Sequence, residues 1–273
     1  MIKTVLITGS SSGIGRATAH HFLAGGWQVV ATMRDPRQAG DLAEHPRALV
    51  VHLDVTDEGS IEAAVAAALG RFGRLDAVIN NAGFGAYGPL EATSMATARR
   101  QFDVNVLGLL AVTKAVLPHL RAQRSGTLVN VSSMGGRMAF PLGTLYHGSK
   151  FAVEGLSEAL HYELAPLGIR VRVIEPGAVA TDFAGRSFAF SNDASLAEYQ
   201  PLVGALFAAM GPMMAHAATA EAVAAAILAA TEDEGDRLRY VVGADAEQIL
   251  AGRGVADDAT FFAGMRAQFG LGG

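Results

Sequence analysis

Lys3-Thr4-Val5-Leu6-Ile7-Thr8-Gly9-Ser10-Ser11-Ser12-Gly13-Ile14-Gly15 reads as a short apolar strand, a turn of small residues and the start of a helix. Val5, Leu6 and Ile7 form an unbroken apolar run, so the strand is expected to be covered on both faces. Glycines let the chain turn sharply and bring bare backbone against a ligand. A helix that starts at once behind them offers N–H groups and a positive dipole end to a pyrophosphate. Gly9, Ser11, Ser12, Gly13, Ile14 and Gly15 are the residues expected to touch it. The spacing is GxxxGxG, and no Lys follows the last glycine, which separates this turn from both GxGxxG and a P-loop.

Outward from this turn, strands and helices alternate. Strand-like runs lie at 3–8, 28–33, 48–53, 77–80, 127–131, 170–175 and 239–242, and helical patterns at 13–24, 38–44, 60–72, 96–120, 145–165 and 219–230. Parallel neighbours need a crossover, and a helix supplies it. The expected fold is therefore α/β: a Rossmann-type, doubly wound parallel sheet of about seven strands flanked by helices, in a single domain over residues 1–273. The stretch 183–218 is too long for an ordinary loop and reads as an insertion over a substrate pocket. Beyond Gly243 come short helical fragments and a flexible-looking Gly270 to Gly273 end, in which no chemistry is read.

Composition narrows the class. With no cysteine among 273 residues, disulfide scaffolds, thiolate metal sites and cysteine nucleophiles are excluded, and a reducing, cytoplasmic setting is expected. The 21 Lys and Arg are scattered and outnumbered by 26 Asp and Glu, a net charge of −5, which argues against nucleic acid. The most apolar stretch, 217–230, is shorter than the about 20 residues of a membrane span and carries Glu221. The N-terminus has too short an apolar run for a signal sequence. His20-His21 and His161-Tyr162-Glu163 lack metal-ligand spacing, so no metal is expected. No GxSxG elbow is present.

The second strand ends Ala31-Thr32-Met33-Arg34-Asp35. An acid there would bind the adenosine ribose and repel a 2′-phosphate, whereas an Arg would welcome it. Strand alternation puts Met33 at the acid position with Arg34 beside it, favouring NADP(H). The competing register hands the ribose to Asp35 and admits NAD(H). Arg16 in the first turn of the first helix is a second cation for the phosphates, or an ordinary exposed Arg.

Tyr146-His147-Gly148-Ser149-Lys150 opens a helix, so Tyr146 and Lys150 share one face. Bringing a phenol from ~10 to ~7 needs about 4 kcal/mol of preference for phenolate. One ammonium at ~5 Å supplies roughly 3 kcal/mol at an effective dielectric near ~20, so the lysine nearly suffices. His147, turned roughly 100° away, reads as structural or rim. Val129-Asn130-Val131-Ser132-Ser133 ends the fifth strand, at the edge where open sheets bind ligands, and a serine there can hydrogen-bond a carbonyl.

At this point the chain resembles the short-chain dehydrogenases/reductases. The shared motifs are Thr8 to Gly15, Asn80-Asn81-Ala82-Gly83, Asn105, Ser133, Tyr146 with Lys150, and Pro176-Gly177-Ala178-Val179-Ala180-Thr181, over 3–181. The resemblance implies an oxidoreductase moving hydride between a nicotinamide and a carbonyl or secondary alcohol. It makes Tyr146 the general acid or base. Lys150 would hold the nicotinamide ribose and lower the tyrosine pKa. Ser133, preferred over Ser132, would polarise the carbonyl, and Asn105 would hold a relay water. Asp54 and Val55 would meet the adenine, while Asn81, Ala82, Gly83, Pro176, Gly177, Val179 and Thr181 would line the cofactor. The loop Gly83 to Leu90 and the run Ala31 to Asp35 look most like the hydroxysteroid and retinol dehydrogenase branch.

Phe183, Phe188, Phe190, Tyr199, Leu202, Leu206, Phe207, Met210, Met213 and Met214, with Phe84 and Phe140, suggest an apolar wall for a lipophilic ketone or alcohol, or else packing on the protein's own core. By resemblance a homodimer or homotetramer is expected, pairing the long helices that carry Asn105 and Tyr146. The rival reading is a catalytically silent nucleotide-sensing protein on the same fold.

Overall fold

A computed structural model describes residues 1–181, 187–215 and 217–271; Phe183, Gly272 and Gly273 lie outside the described residues. The strands are β1 (Thr4–Ile7), β2 (Gln28–Met33), β3 (Ala48–His52), β4 (Ala77–Asn80), β5 (Gly85–Tyr87), β6 (Gly126–Val131), β7 (Ile169–Pro176), β8 (Val179–Ala180), β9 (Phe188–Phe190), β10 (Ala218–Thr219) and β11 (Arg239–Val242). Seven of them form one sheet in the order β11-β7-β6-β4-β1-β2-β3, every pair parallel. The order reverses at the β1/β4 boundary, so the crevice at the carboxyl ends of those strands is where a ligand is expected.

The helices are α1 (Gly13–Ala24), α2 (Glu58–Phe72), α3 (Met95–Phe102), α4 (Gly108–Gln123), α5 (Thr144–Leu164), α6 (Gln200–Ala215), α7 (Ala220–Glu232), α8 (Ala244–Val255) and α9 (Asp258–Gln268). One face of the sheet buries Val5, Ile7, Val29 and Ile79 against Phe22, Val223 and Ile227 of α1 and α7. The other buries Leu6, Val30, Val78 and Leu128 against α2 and α4 through Ile61, Val65, Val112 and Val116. Each such side chain contributes roughly 1.5–3 kcal/mol on burial, which is why continuous apolar runs, with no polar alternation, specify these strands.

Three departures from the sequence reading have local causes. The helix expected at 38–44 is two 3₁₀ turns, Pro36–Gln38 and Gly40–Ala43, because Gly40 sits at φ +56° between them. The helix expected at 96–120 is α3 and α4 joined by a single π turn, Asp103–Leu107. Together they form a run, Met95–Gln123, long and apolar enough to cross a bilayer by length and composition. Val112, Val116 and Leu120 on it are sealed inside the domain, so its apolar side belongs to the core. Third, short ladders join β5 to β9 and β8 to β10.

Buried polar side chains tie the layers together. Asn80 Nδ2 donates to Asn130 Oδ1 (2.9 Å) and Thr113 Oγ1 (3.1 Å), and Asn130 Nδ2 donates to Ser157 Oγ (2.9 Å), linking β4, β6, α4 and α5. The buried Arg172 guanidinium donates to the carbonyls of Val171, Ala230, Asp233 and Gly235. A cation at the carboxyl end of α7 suits the helix dipole.

Candidate active site

A cavity of about 520 Å³ opens at the carboxyl ends of β1 and β4 and extends toward β6, β7 and α6. Its first wall is the glycine turn. Gly9 and Gly13 take φ of +72° and +52°, and a β-carbon on Gly15 would overlap the Gly9 carbonyl oxygen and lie 2.5 Å from Asn81 Nδ2. Ser12 caps α1 with extended backbone but no side-chain hydrogen bond, and no acid occupies the first turn. In α2, by contrast, Asp57 accepts from Gly59 N–H. The amino end of α1 therefore faces the cavity without a competing anion, and the cradle fits a pyrophosphate.

Thr8, at the head of the glycine turn, couples this turn to the next loop. Its Oγ1 accepts from the backbone N–H groups of Asn81 and Ala82, each at 3.0 Å, while Asn81 Nδ2 donates to the Thr8 carbonyl at 2.9 Å. Opposite, a β-carbon on Gly13 would touch Thr181 at 3.5 Å, so the segment after β7 closes the cavity. That segment is held from behind. Gly177 N–H donates to the Val242 carbonyl, and Ala178 N–H donates to Asp245 Oδ2 at 2.7 Å. A side chain on Gly177 would overlap Asp245. Asp245 carries no sequence signal, since it acts through a residue far away in the chain.

Gly9, Ser11, Ser12, Gly13, Ile14, Gly15, Arg34, Asp54, Val55, Asn81, Ala82, Gly83, Ser133, Tyr146, Lys150, Pro176, Gly177, Val179 and Thr181 all line this one cavity. Asn105 stands behind its wall. Its Oδ1 accepts from Phe84 N–H (3.0 Å), and its Nδ2 donates to the Phe84 carbonyl (2.8 Å) and Ser149 Oγ (3.2 Å). The side chain is thus committed to protein groups, in the π turn where the helix widens. Gln101, one turn earlier, repeats the pattern, donating to the Phe84 carbonyl and accepting from Ala86 N–H. Its spacing four residues before Asn105 was the signal that could have found it.

At the carboxyl end of β2, Arg34 is exposed and lines the cavity, whereas the Asp35 carboxylate caps the next turn and pairs with Arg37. That pairing holds Asp35 down at about 2. Arg16 is not in the cavity: it pairs with Asp41 and donates to the Ala39 carbonyl at 3.1 Å, fastening α1 to the 3₁₀ turn beside it. Asp54 accepts from Thr56 N–H (2.9 Å) and Thr56 Oγ1 (2.7 Å). Burial works to raise its carboxyl, but these bonds and the nearby charge of Arg34 hold it below its usual range.

At the reacting end Tyr146 shares a hydrogen bond with Ser133, and Ser133 Oγ accepts from Gly135 N–H at 3.0 Å. Ser132 also lines the cavity, but its Oγ is buried without a hydrogen-bond partner. Lys150 Nζ donates to the Val131 carbonyl at 2.8 Å and lies 5.9 Å from the Tyr146 ring centre. Burial lifts the Tyr146 phenol above its ordinary value, with the Ser133 bond pulling it down. Burial lowers Lys150 to about 8, opposed by Glu154. In the chain by itself burial therefore works against both charged forms, the phenolate of Tyr146 and the ammonium of Lys150, although both side chains line the cavity.

The Tyr146 ring stacks on Tyr87 at 5.3 Å, and Tyr87 packs on Phe188 at 5.2 Å. His147 is structural, with Nδ1 2.9 Å from the Gly135 carbonyl and Nε2 accepting from Phe140 N–H at 2.9 Å; burial lowers its pKa. The apolar wall is mixed in origin. Phe84, Phe140, Phe188, Leu206, Met210, Met213 and Met214 reach the cavity, while Phe190 and Leu202 pack with the core cluster beneath α6. Phe207 is exposed, and Tyr199 donates to Glu91 at 3.2 Å. Phe269 of the C-terminal end also lines the cavity, where the sequence reading placed no chemistry.

Residues 3–192 match the family model described as short chain dehydrogenase. An uncharacterized oxidoreductase of Schizosaccharomyces pombe is 43% identical over 244 residues, 88% of this chain and 100% of that protein. Retinol dehydrogenase 8 of Bos taurus is 39% identical over 193 residues, 67% of this chain and 61% of its own. The crystal structure of a short-chain dehydrogenase from Streptomyces avermitilis superposes with a TM-score of 0.85 at 35% identity, covering 99% of this chain and 98% of that one.

Proposed function

The chain belongs to the short chain dehydrogenase family, and from that premise we propose that it is an NADP(H)-dependent carbonyl reductase or alcohol dehydrogenase acting on a lipophilic substrate. The observation that carries the reading is the convergence of Ser133, Tyr146 and Lys150 on the cavity that the glycine cradle opens. A nicotinamide held there would give hydride to a carbonyl carbon in its reduced form and take hydride from an alcohol carbon in its oxidised form. Tyr146 donates its proton to the carbonyl oxygen in reduction and takes it back in oxidation. Ser133 hydrogen-bonds the same oxygen and orients it. Lys150 holds the ribose and adds positive charge near the phenol, and Asn105 braces the wall beside it and offers its π turn to a relay water.

Asp54 and Val55 take the adenine side. Gly9, Ser11, Ser12, Gly13, Ile14 and Gly15 take the pyrophosphate, with Asn81, Ala82, Gly83, Pro176, Gly177, Val179 and Thr181 around the rest. Arg34 supports NADP(H), because the cation faces the cavity while Asp35 is occupied by Arg37. Within the expected insertion, Leu206, Met210 and Met213 of α6 line the cavity and favour a substrate with little polar surface. The exposed Leu107 and Phe151 near Asn105 and Tyr146 favour pairing of two copies through α4 and α5.

Two measurements test this. In a series of ketones and alcohols of rising size, followed at the absorbance of reduced nicotinamide, turnover is expected to favour the bulky apolar members; a series with no turnover would remove the enzymatic reading. NADPH is expected to bind at least about tenfold more tightly than NADH, and Arg34→Ala to erase that margin, about 1.4 kcal/mol for each factor of ten. Equal affinities in the native protein would defeat the role given to Arg34.

A further inference from the structure

Behind the catalytic pair, away from the cavity, lies a group of charges that the mechanism above does not use. The α5 helix contributes Glu154 and Glu158, one and two turns beyond Lys150, β7 contributes Glu175, β11 contributes Arg239, and Arg137 follows the 3₁₀ turn after Ser133. Glu175 is 0% exposed and Glu154 5%. Arg239 Nε lies 2.9 Å from Glu154 Oε2 and 3.5 Å from Glu175 Oε1. One N–H cannot serve both acceptors, and it serves Glu154. The other Arg239 nitrogen with a partner, Nη2, goes to exposed Glu158 at 2.6 Å. Arg137 reaches Glu175 Oε2 at 3.4 Å, the outer limit of a hydrogen bond. Glu154 Oε1 and Glu175 Oε1 are left buried without a hydrogen-bond partner. Arg172, on the same strand as Glu175, is spent on carbonyls at the end of α7.

We propose that Glu154 and Glu175 hold one proton between them, and that this proton sets the negative charge presented to Lys150, making both glutamates positioning residues for the catalytic pair. The inference rests on the reading of Tyr146 and Lys150 given above. Two carboxylates converging on one donor cannot both remain charged and dry, and a proton on one relieves the repulsion and supplies the missing donor. The electrostatics agree: burial raises Glu175 to about 7, the charge of Glu154 pushes the same way, and Arg137 and Arg239 pull back.

The coupling runs through α5, where Glu154 sits one turn beyond Lys150 and favours its ammonium form. Below neutrality the glutamates carry one negative charge between them; above it they carry two. The second charge arrives in the pH range where Lys150 begins to lose its proton, and holds that proton on.

The test labels the glutamate δ-carbons and the lysine ε-carbons with ¹³C and follows their resonances with pH. In the native protein a glutamate carboxyl should titrate near neutrality, the Lys150 ε-carbon should inflect at the same pH, and Glu175→Gln should remove both. In turnover, the alkaline limb of Glu175→Gln should fall about one pH unit lower than native, while cofactor affinity is kept. The proposal is overturned if every glutamate carbon titrates below about 5, if Lys150 does not follow the glutamate, or if the variant and native pH profiles superpose. Should Glu175→Gln and Glu154→Gln fail to fold, the two native titrations decide alone. A neutral-range glutamate in a protein without turnover would overturn the dehydrogenase reading and leave the shared proton standing.

Discussion

Replacing Tyr146 with Phe should cut turnover roughly a hundred- to ten-thousandfold, the range general acid–base catalysis contributes, while leaving the affinity for NADP(H) nearly unchanged. The substitution removes one oxygen and keeps the ring, so the stack on Tyr87 and the packing of α5 survive. Burial already makes the phenol reluctant to ionise in the chain by itself. On the proposed mechanism the phenol would therefore act as a retained proton donor, and the positive charge easing its loss in the oxidative direction would come from both Lys150 and an oxidised nicotinamide. Steady-state rates beside a cofactor titration check this. Turnover within threefold of native would assign the proton to another group.

The second large effect concerns binding. Gly15→Ala should weaken NADP(H) at least about a hundredfold and destabilise the fold by about 1–3 kcal/mol, the usual cost of forcing extra carbon into a packed site. The new methyl meets the Gly9 carbonyl oxygen and the Asn81 amide that holds Thr8 and Gly9, so the turn itself must open. Gly70→Ala is the control: nothing lies within 4 Å of its added carbon in α2, and helix propensity alone should stabilise it by about 0.5–1 kcal/mol. Cofactor titration and urea unfolding of both variants separate site from scaffold. A Gly15→Ala protein that binds as the native one does would show that the turn is not the cradle.

What could be read from sequence followed from local periodicity. The bounds of α1, β2, β4 and β11 coincide with their expected ranges, because continuous apolar runs and a helix-opening glycine turn are local signals. The cavity-lining residues were legible for a different reason: they sit at strand ends, and the family motif orders them. The pairing of Gly85–Tyr87 with Phe188–Phe190 left no such trace, since three-residue strands have too few positions to show a period. Asp245 and Phe269 were missed because their roles exist only once the chain returns to Ala178 and the cavity. Spacing placed Tyr146 and Lys150 on one face but could not supply the burial that works against the charged form of each.

The β5–β9 ladder joins Gly85–Tyr87 to Phe188–Phe190 through the main chain, Gly85 N–H donating to the Ser187 carbonyl and Ser191 N–H to that of Tyr87. Such bonds are indifferent to the side chains hung on them. The strand's register therefore rests on its backbone, while its phenylalanines add ring contacts, Phe188 to Tyr87 and Phe190 to Phe207. A change of wall at Phe188 would then be relayed, ring to ring, through Tyr87 to Tyr146, so that pocket shape and the setting of the phenol alter together.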